Sequence, residues 1–245
     1  MLELEVKNVS KNFRGLQALK NVNFNIEKGK ITGLIGPNGA GKTTLFNLIS
    51  GFYKPSKGNI IFCGKNIANL KPFQRCELGI ARTFQIPKPL RKISALDNVA
   101  VGFLYGRRHI NNVSKARELA LKLLEFTGLL EKKDFLAKDL GAEDHKCLEL
   151  SRALATDPTL LLLDEVMAGL NPVETQRFLE LIQRINNDNN ITILIIEHVM
   201  SAINKLSDKI VVLNYGEKIA EDVPEKIVNN KLVIQVYLGE EKQDA

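Results

Sequence analysis

The period of apolar and polar residues changes several times along this chain, and each change marks an element. Residues 2–9 and 22–26 alternate apolar with polar and are predicted as strands joined by a turn through Gly15. Ile31–Ile35 is a short, β-prone apolar run, which predicts a buried strand. Residues 43–50 then place Leu45, Phe46, Leu48 and Ile49 at helical spacing, with Gly51 as the C-terminal cap. Gly58–Phe62 and Ile80–Phe84 are predicted as further strands. From 87 to about 155 helical periodicity dominates, as in Ala116, Leu119, Ala120, Leu123 and Leu124, and predicts a helical insertion. Leu160–Leu163 returns to strand, 173–186 to helix, Ile191–Ile196 to strand and 199–206 to helix. Strands over 209–213 and 217–221 meet at Tyr215-Gly216; a helical tail covers about 223–238, and Gly239–Ala245 reads as a frayed polar end. Strands alternating with helices predict an α/β fold with a mostly parallel sheet covered on both faces.

With 245 residues, 44% of them hydrophobic, the chain suffices for one large α/β domain or two small ones, and a single domain over 1–245 is expected. No apolar run approaches the roughly 18–20 residues that span a bilayer. Met1-Leu2-Glu3-Leu4-Glu5 lacks the basic-then-apolar pattern of a secretory leader, so a cytoplasmic protein is expected. Cys63, Cys76 and Cys147 fit neither metal-ligand spacing nor a disulfide framework, and are expected to be buried or half-buried thiols. The net charge of +6 is spread, with local clusters at Lys88–Lys92 and Arg107-Arg108. Aromatics are few and not interleaved with them, so no direct nucleic-acid partner is expected.

The densest chemistry lies between the predicted strand at 31–35 and the predicted helix at 43–50. Gly36-Pro37-Asn38-Gly39-Ala40-Gly41-Lys42-Thr43-Thr44 has the form G-x-x-x-x-G-K-[ST], and strand, glycine loop, helix is the context that marks a phosphate-binding loop. The glycines let successive backbone N–H groups face one anion, and the helix N-terminus adds its positive end. Lys42 would reach the β- and γ-phosphates, and the Thr43 hydroxyl would hold Mg²⁺. The bland alternative is a glycine-rich turn carrying a surface lysine.

Downstream, Leu160–Leu163 leads into Asp164-Glu165. After such a loop upstream, a strand ending in two carboxylates is expected to place Asp164 at the Mg²⁺ and Glu165 as acceptor of a proton from attacking water. His198 follows the strand at 191–196; a ring hydrogen bond to the γ-phosphate is plausible there, though a histidine after a strand is ordinarily a loop residue. Gln85 ends the strand at 80–84, where its amide oxygen could contact Mg²⁺ or water.

Taken in order, Gly36–Thr44, Gln85, Leu160–Glu165 and His198 resemble the nucleotide-binding domain of ABC transporters over nearly the whole chain. The resemblance implies an ATPase built on a phosphate-loop core, with an antiparallel N-terminal β subdomain and the helical insertion. It implies that Phe13 stacks on adenine, where the residue alone would read as a strand-end core side chain. It also implies that Gln85 links the site to the membrane-subunit contact. Gly36–Phe52, Gly79–Gln85, Ala168–Glu174 and the tail around Val236-Tyr237-Leu238-Gly239 are similar to the ATP-binding subunits of branched-chain amino-acid importers. Lipopolysaccharide-export ATPases match Gly79–Gln85 less well, and soluble ABC ATPases of DNA repair or translation usually carry two cassettes or long coiled coils. The implied partners are a second ABC ATPase subunit and two membrane permease subunits, at the cytoplasmic face of the membrane, with ATP and Mg²⁺.

One segment departs from that family. Its signature, L-S-G-G-Q or L-S-Y-G-Q, falls on Leu140-Gly141-Ala142-Glu143-Asp144. Gly141 stands for the serine, Glu143 for the second glycine and Asp144 for the glutamine. In the family this segment caps the γ-phosphate bound on the opposite subunit. A carboxylate about 4 Å from a phosphate charge costs on the order of 4 kcal/mol at an effective dielectric near 20, which His145 or Lys146 could partly offset. Val166, where the family usually has proline, is a milder departure. The expectation is a heterodimer of unlike cassettes with weak activity alone; a degenerate subunit that binds ATP and turns over little is the alternative.

Overall fold

The computed structural model describes residues 1–240. Its strands are β1 (Leu2–Phe13), β2 (Leu16–Glu27), β3 (Ile31–Ile35), β4 (Lys57–Phe62), β5 (Lys65–Asn66), β6 (Ile80–Arg82), β7 (Leu160–Asp164), β8 (Thr192–Ile196), β9 (Lys209–Asn214) and β10 (Glu217–Asp222). The helices are α1 (Lys42–Ile49), α2 (Pro72–Leu78), α3 (Ala95–Tyr105), α4 (Val113–Phe126), α5 (Ala142–Ala155), α6 (Pro172–Asn189), α7 (Met200–Leu206), α8 (Pro224–Ile227) and α9 (Lys231–Glu240). Internal contacts divide the chain into two compact units, Met1–Pro72 with residues from Ile182 onward, and Phe73–Leu181. Of the end predicted to fray over Gly239–Ala245, Gly239 and Glu240 instead continue α9, and 241–245 lie outside the described residues.

The first unit holds two sheets. One is antiparallel, in the order β2-β1-β4-β5. Arg14 (φ 38°) and Gly15 (φ 97°) turn β1 into β2, both with the positive φ that a tight two-residue hairpin requires. These strands run longer than the predicted 2–9 and 22–26. Register shifts near Asn8 and Val9, with Asn8 (φ 52°) and Asn21 (φ 49°) in left-handed geometry, break the alternation without ending the pairing. In the other sheet β3 lies between β8 and β9, parallel to both, and β10 returns antiparallel to β9 across Tyr215-Gly216. Every residue of β3 and β8 is buried, Thr32 and Thr192 among their apolar neighbours.

In the second unit β6 and β7 pair in parallel, with Arg82 opposite Leu162. β6 ends at Arg82 rather than at Phe84, although the Thr83 N–H still reaches the Leu162 carbonyl at 2.9 Å. α3 and α4 begin on side-chain caps. Ser94 Oγ accepts from the Asp97 N–H, and Asn112 Oδ1 accepts from the Lys115 N–H. At α6, Asn171 Oδ1 accepts from the Glu174 N–H while Glu174 Oε2 accepts from the Asn171 N–H, which sets the start at Pro172. α3, α4 and α5 share a core of small and medium side chains, among them Ala95, Val99, Ala116, Ala120, Leu124 and Leu148. A side chain at Gly102 would meet the Ala155 methyl at 2.6 Å, so α3 and α5 lie close only because position 102 is glycine.

Candidate functional site

In the first unit the phosphate loop leaves β3 where its motif predicts. Gly36 has φ 148°, and a Cβ there would come within 2.1 Å of the Leu213 carbonyl oxygen. Gly41 has φ 102°, and its Cβ would strike Leu19 and the Ala18 carbonyl at 2.7 and 2.9 Å. These two glycines let the loop turn while packed against β9 and β2. α1 then starts with Gly41 as N-cap, no side-chain cap and no acidic residue in its first turn. Pro37, Ala40 and Lys42 are buried, Asn38, Gly39 and Thr43 exposed, Thr44 half-buried. The Lys42 ammonium donates to the Gly36 and Pro37 carbonyls at 2.5 and 2.9 Å. The loop thus holds its cation over its own backbone at a helix N-terminus, an arrangement suited to a polyphosphate.

Leu34 pairs with Ile196 across the parallel β3–β8 ladder. Gly36 and His198 each follow two residues later, so His198, which is exposed, emerges at the same strand end as the loop. Phe13 closes β1, half-buried. Its ring meets Tyr53 edge-on with centroids 5.2 Å apart, and the Lys11 ammonium sits 4.8 Å from the Phe13 centroid. Tyr53 is held by an N–H bond to the Asn47 carbonyl of α1. Nothing in the spacing of Tyr53 pointed to this pairing, because the contact joins residues forty positions apart.

In the second unit the C-terminal ends of β6 and β7 bring Gln85, Asp164 and Glu165 into one group. Asp164 is buried, and its N–H donates to Thr83 Oγ1 at 3.3 Å. Arg82 Nη2 lies 2.7 Å from Asp164 Oδ2. Gln85 Nε2 donates to Glu165 Oε2 at 2.5 Å. Glu165 takes φ 50°, uncommon for a residue with a side chain. A proline at 166 would bias residue 165 toward extended backbone; Val166 imposes no such bias. Arg82 is the residue that sequence reasoning missed: a basic residue at a strand end reads as solvated, and its carboxylate partner lies far along the chain.

The altered segment Leu140–Asp144 forms the entry to α5. Gly141 is the N-cap, with Glu143 and Asp144 in the first turn. Asp144 Oδ2 accepts from the Gly141 N–H at 3.2 Å and from the Lys132 ammonium at 2.6 Å. Of the two basic residues that follow, His145 Nε2 meets the Ala137 carbonyl at 2.7 Å, and Lys146 donates to the Val166 carbonyl at 2.9 Å and to that of Ala168. Lys132, which the sequence did not single out, pairs with Asp144. Burial, with Glu143 and Asp144 nearby, pushes the half-buried Cys147 thiol up to about 12, which leaves it inert. Cys76 is also half-buried; Cys63, expected likewise, is instead exposed at the turn between β4 and β5.

In the second unit Gln85 and Asp164 offer an amide oxygen and a carboxylate, and in the first Thr43 offers a hydroxyl; each is a hard oxygen donor of the kind Mg²⁺ takes. Among the described residues no helix is long and apolar enough to cross a membrane.

Residues 19–168 match the family model described as ABC transporter, and 217–243 match that described as branched-chain amino acid ATP-binding cassette transporter. The chain is 42% identical to a probable branched-chain amino acid transport ATP-binding protein, LivG, of Archaeoglobus fulgidus, covering 96% of this chain and 95% of that one. It is 40% identical to the high-affinity LivG protein of Escherichia coli K12, covering 97% and 98%. Among solved structures, a nucleotide-free ATP-binding cassette from an ABC transporter matches with a TM-score of 0.87 and 33% identity, over 97% of this chain and 99% of that one. The ADP conformation of such a cassette also scores 0.87, at 32% identity over 98% and 99%. With its phosphate loop, its paired carboxylates and this full-length similarity, the chain belongs to the ATP-binding cassette family of ABC transporters.

Proposed function

We propose that this chain is the ATP-binding and hydrolysing subunit of an importer of branched-chain amino acids. It works at the cytoplasmic face of the membrane, with two permease subunits and a second cassette of a different sequence. The observation that carries the reading is the phosphate loop on β3 and α1, within a chain similar over its whole length to LivG proteins. Lys42 neutralises the β- and γ-phosphates, and the loop amides bind their oxygens. Phe13 stacks on adenine, and His198 donates a hydrogen bond to the γ-phosphate. Thr43, Asp164 and Gln85 are the residues that would hold Mg²⁺, which would supply charge neutralisation on the phosphate oxygens. Glu165 accepts the proton of the attacking water; its bond from Gln85 keeps the carboxylate oriented.

Asp144 favours the unequal pairing. It occupies the N-terminus of α5, the place where an intact signature would face a partner's γ-phosphate. Two copies of this chain would make two damaged sites. With a partner whose signature is intact, this chain's own loop would be served and the partner's loop would not.

The test is Glu165→Gln in the chain assembled with its permeases and partner cassette. ATP binding should persist while hydrolysis and uptake of radiolabelled leucine fall at least about a hundredfold, because only proton acceptance is lost. Normal turnover in that variant removes Glu165 from the mechanism. Normal hydrolysis in the wild-type assembly with no leucine, isoleucine or valine transport removes the substrate assignment.

A further inference from the structure

Arg82 and Asp164 form a charged pair withdrawn from water. Their side chains are 7% and 5% exposed, and Nη2 to Oδ2 is 2.7 Å. The guanidinium carbon also lies 5.2 Å from the Phe84 ring centroid. Arg82 sits on β6 opposite Leu162, two residues before the carboxylate it holds. Between them Thr83 fixes the backbone, donating its N–H to the Leu162 carbonyl and accepting from the Asp164 N–H. Three residues beyond Arg82, Gln85 holds Glu165. One four-residue segment therefore grips two consecutive carboxylates.

A buried carboxylate without counter-charge would be an avid seat for any divalent cation, whether or not nucleotide came with it. We infer that Arg82 is a positioning residue that acts through Asp164: it is the resident counter-charge of that carboxylate and keeps it from taking a divalent cation before nucleotide arrives. A metal arriving with the phosphates brings anionic charge with it and shares Asp164 with the guanidinium; a metal arriving alone faces a carboxylate already neutralised. The inference rests on the proposed reading of Asp164 as a ligand of the nucleotide's metal.

The test is Mn²⁺ binding to the purified chain, followed by electron paramagnetic resonance with and without ATP. Without nucleotide, Arg82→Met should bind Mn²⁺ at least tenfold more tightly than wild type, and Asp164→Asn in the same chain should abolish the gain. Mn²⁺ should raise the melting temperature of Arg82→Met without nucleotide and leave that of wild type unmoved, since a ligand stabilises only the fold it binds. Arg82→Lys keeps the charge and should behave as wild type. Should Arg82→Met fail to fold, Arg82→Gln, which keeps a hydrogen-bond donor without the charge, gives the same readout. Nucleotide-free Mn²⁺ affinity no tighter in the neutral variants than in wild type overturns the inference, as does a gain in Arg82→Lys equal to theirs. Failure of the underlying reading is distinct: Asp164→Asn would then leave Mn²⁺ binding in the presence of ATP unchanged.

Discussion

Helices α1 and α5 both start at a glycine, and their first turns are built in opposite ways. α1 starts at Gly41 with no side-chain cap and no acidic residue; its first residue is Lys42. α5 starts at Gly141 with Glu143 and Asp144 in the first turn, Asp144 bonded to the Gly141 N–H and to Lys132. An anion at a helix N-terminus stabilises it by about 0.3–1 kcal/mol. α5 supplies that anion from its own sequence and α1 does not. A helix that carries its own carboxylate gains a little stability and ceases to be a receptor for an external phosphate. A glycine at the cap is therefore not enough to mark an anion site; the charge of the following turn decides.

The strongest way to break this comparison is at Lys42. Lys42→Ala leaves the loop amides and the α1 terminus in place and removes the cation. If the loop is the receptive end, ATP affinity measured by isothermal titration should fall at least about a hundredfold, ~2.7 kcal/mol. A loss of less than threefold would mean that the amides alone suffice and that the lysine does not separate the two helices.

A second, smaller effect asks whether affinity belongs to the phosphate end alone. Phe13→Ala should weaken ATP binding by roughly 1–3 kcal/mol, by analogy with base stacking on aromatic side chains. Phe13→Tyr should be tolerated. Because Tyr53 meets Phe13 edge-on, Tyr53→Ala should cost less than Phe13→Ala, acting through the placement of the Phe13 ring. Triphosphate binding without a base should be indifferent to both. Unchanged ATP affinity in Phe13→Ala returns that residue to a packing role.

The difference between the two helix starts also shows how far the sequence can be read. The phosphate loop is local: nine consecutive residues, a strand before them and a helix after, each with its own period. Asp164-Glu165 is nearly as local, since an unbroken leucine run ending in carboxylates is conspicuous. The long hairpin was legible only in part, because Asn8 and Asn21 take left-handed geometry inside paired strands and disturb the alternation by which strands are recognised. Pairings between distant side chains were not legible at all. Arg82 with Asp164, Lys132 with Asp144 and Phe13 with Tyr53 join residues twelve to eighty-two positions apart, and no period connects them. His145 and Lys146, next to the signature in sequence, also reach backbone carbonyls outside it, which no local pattern announces.

The comparison is sharpened by making α5 resemble α1. The combined change Gly141→Ser, Ala142→Gly, Glu143→Gly and Asp144→Gln removes both carboxylates from the first turn and restores a hydroxyl. ATPase activity of the isolated chain should rise several-fold. Asp144→Gln alone should yield only part of the gain, because Glu143 remains. Isolated wild-type chain as active as the combined variant would mean that Glu143 and Asp144 are turned away from the nucleotide and that the heterodimer is not needed.

The smallest effect separates stability from function in the helical unit. Asp97, in the first turn of α3, is held below its usual value of 3.8, first by a hydrogen bond from Arg117 and then, against the opposing effect of burial, by Ser94. Arg117 Nε lies 2.7 Å from its Oδ1. A carboxylate whose folded value is depressed contributes stability that is fully present above the unfolded value and is lost as pH falls through the folded one. Since both side chains reach solvent, screening leaves the pair only a small contribution. Asp97→Asn should therefore lower the melting temperature slightly near neutral pH, and the difference from wild type should vanish as pH falls through the depressed value. ATPase activity near pH 7 should not change, whereas the signature variants should change activity with little movement in melting temperature. If Asp97→Asn altered ATPase activity as much as the signature substitutions do, their effects would have to be assigned to general loosening of α3, α4 and α5, and the contrast between the two helix starts would lose its functional meaning.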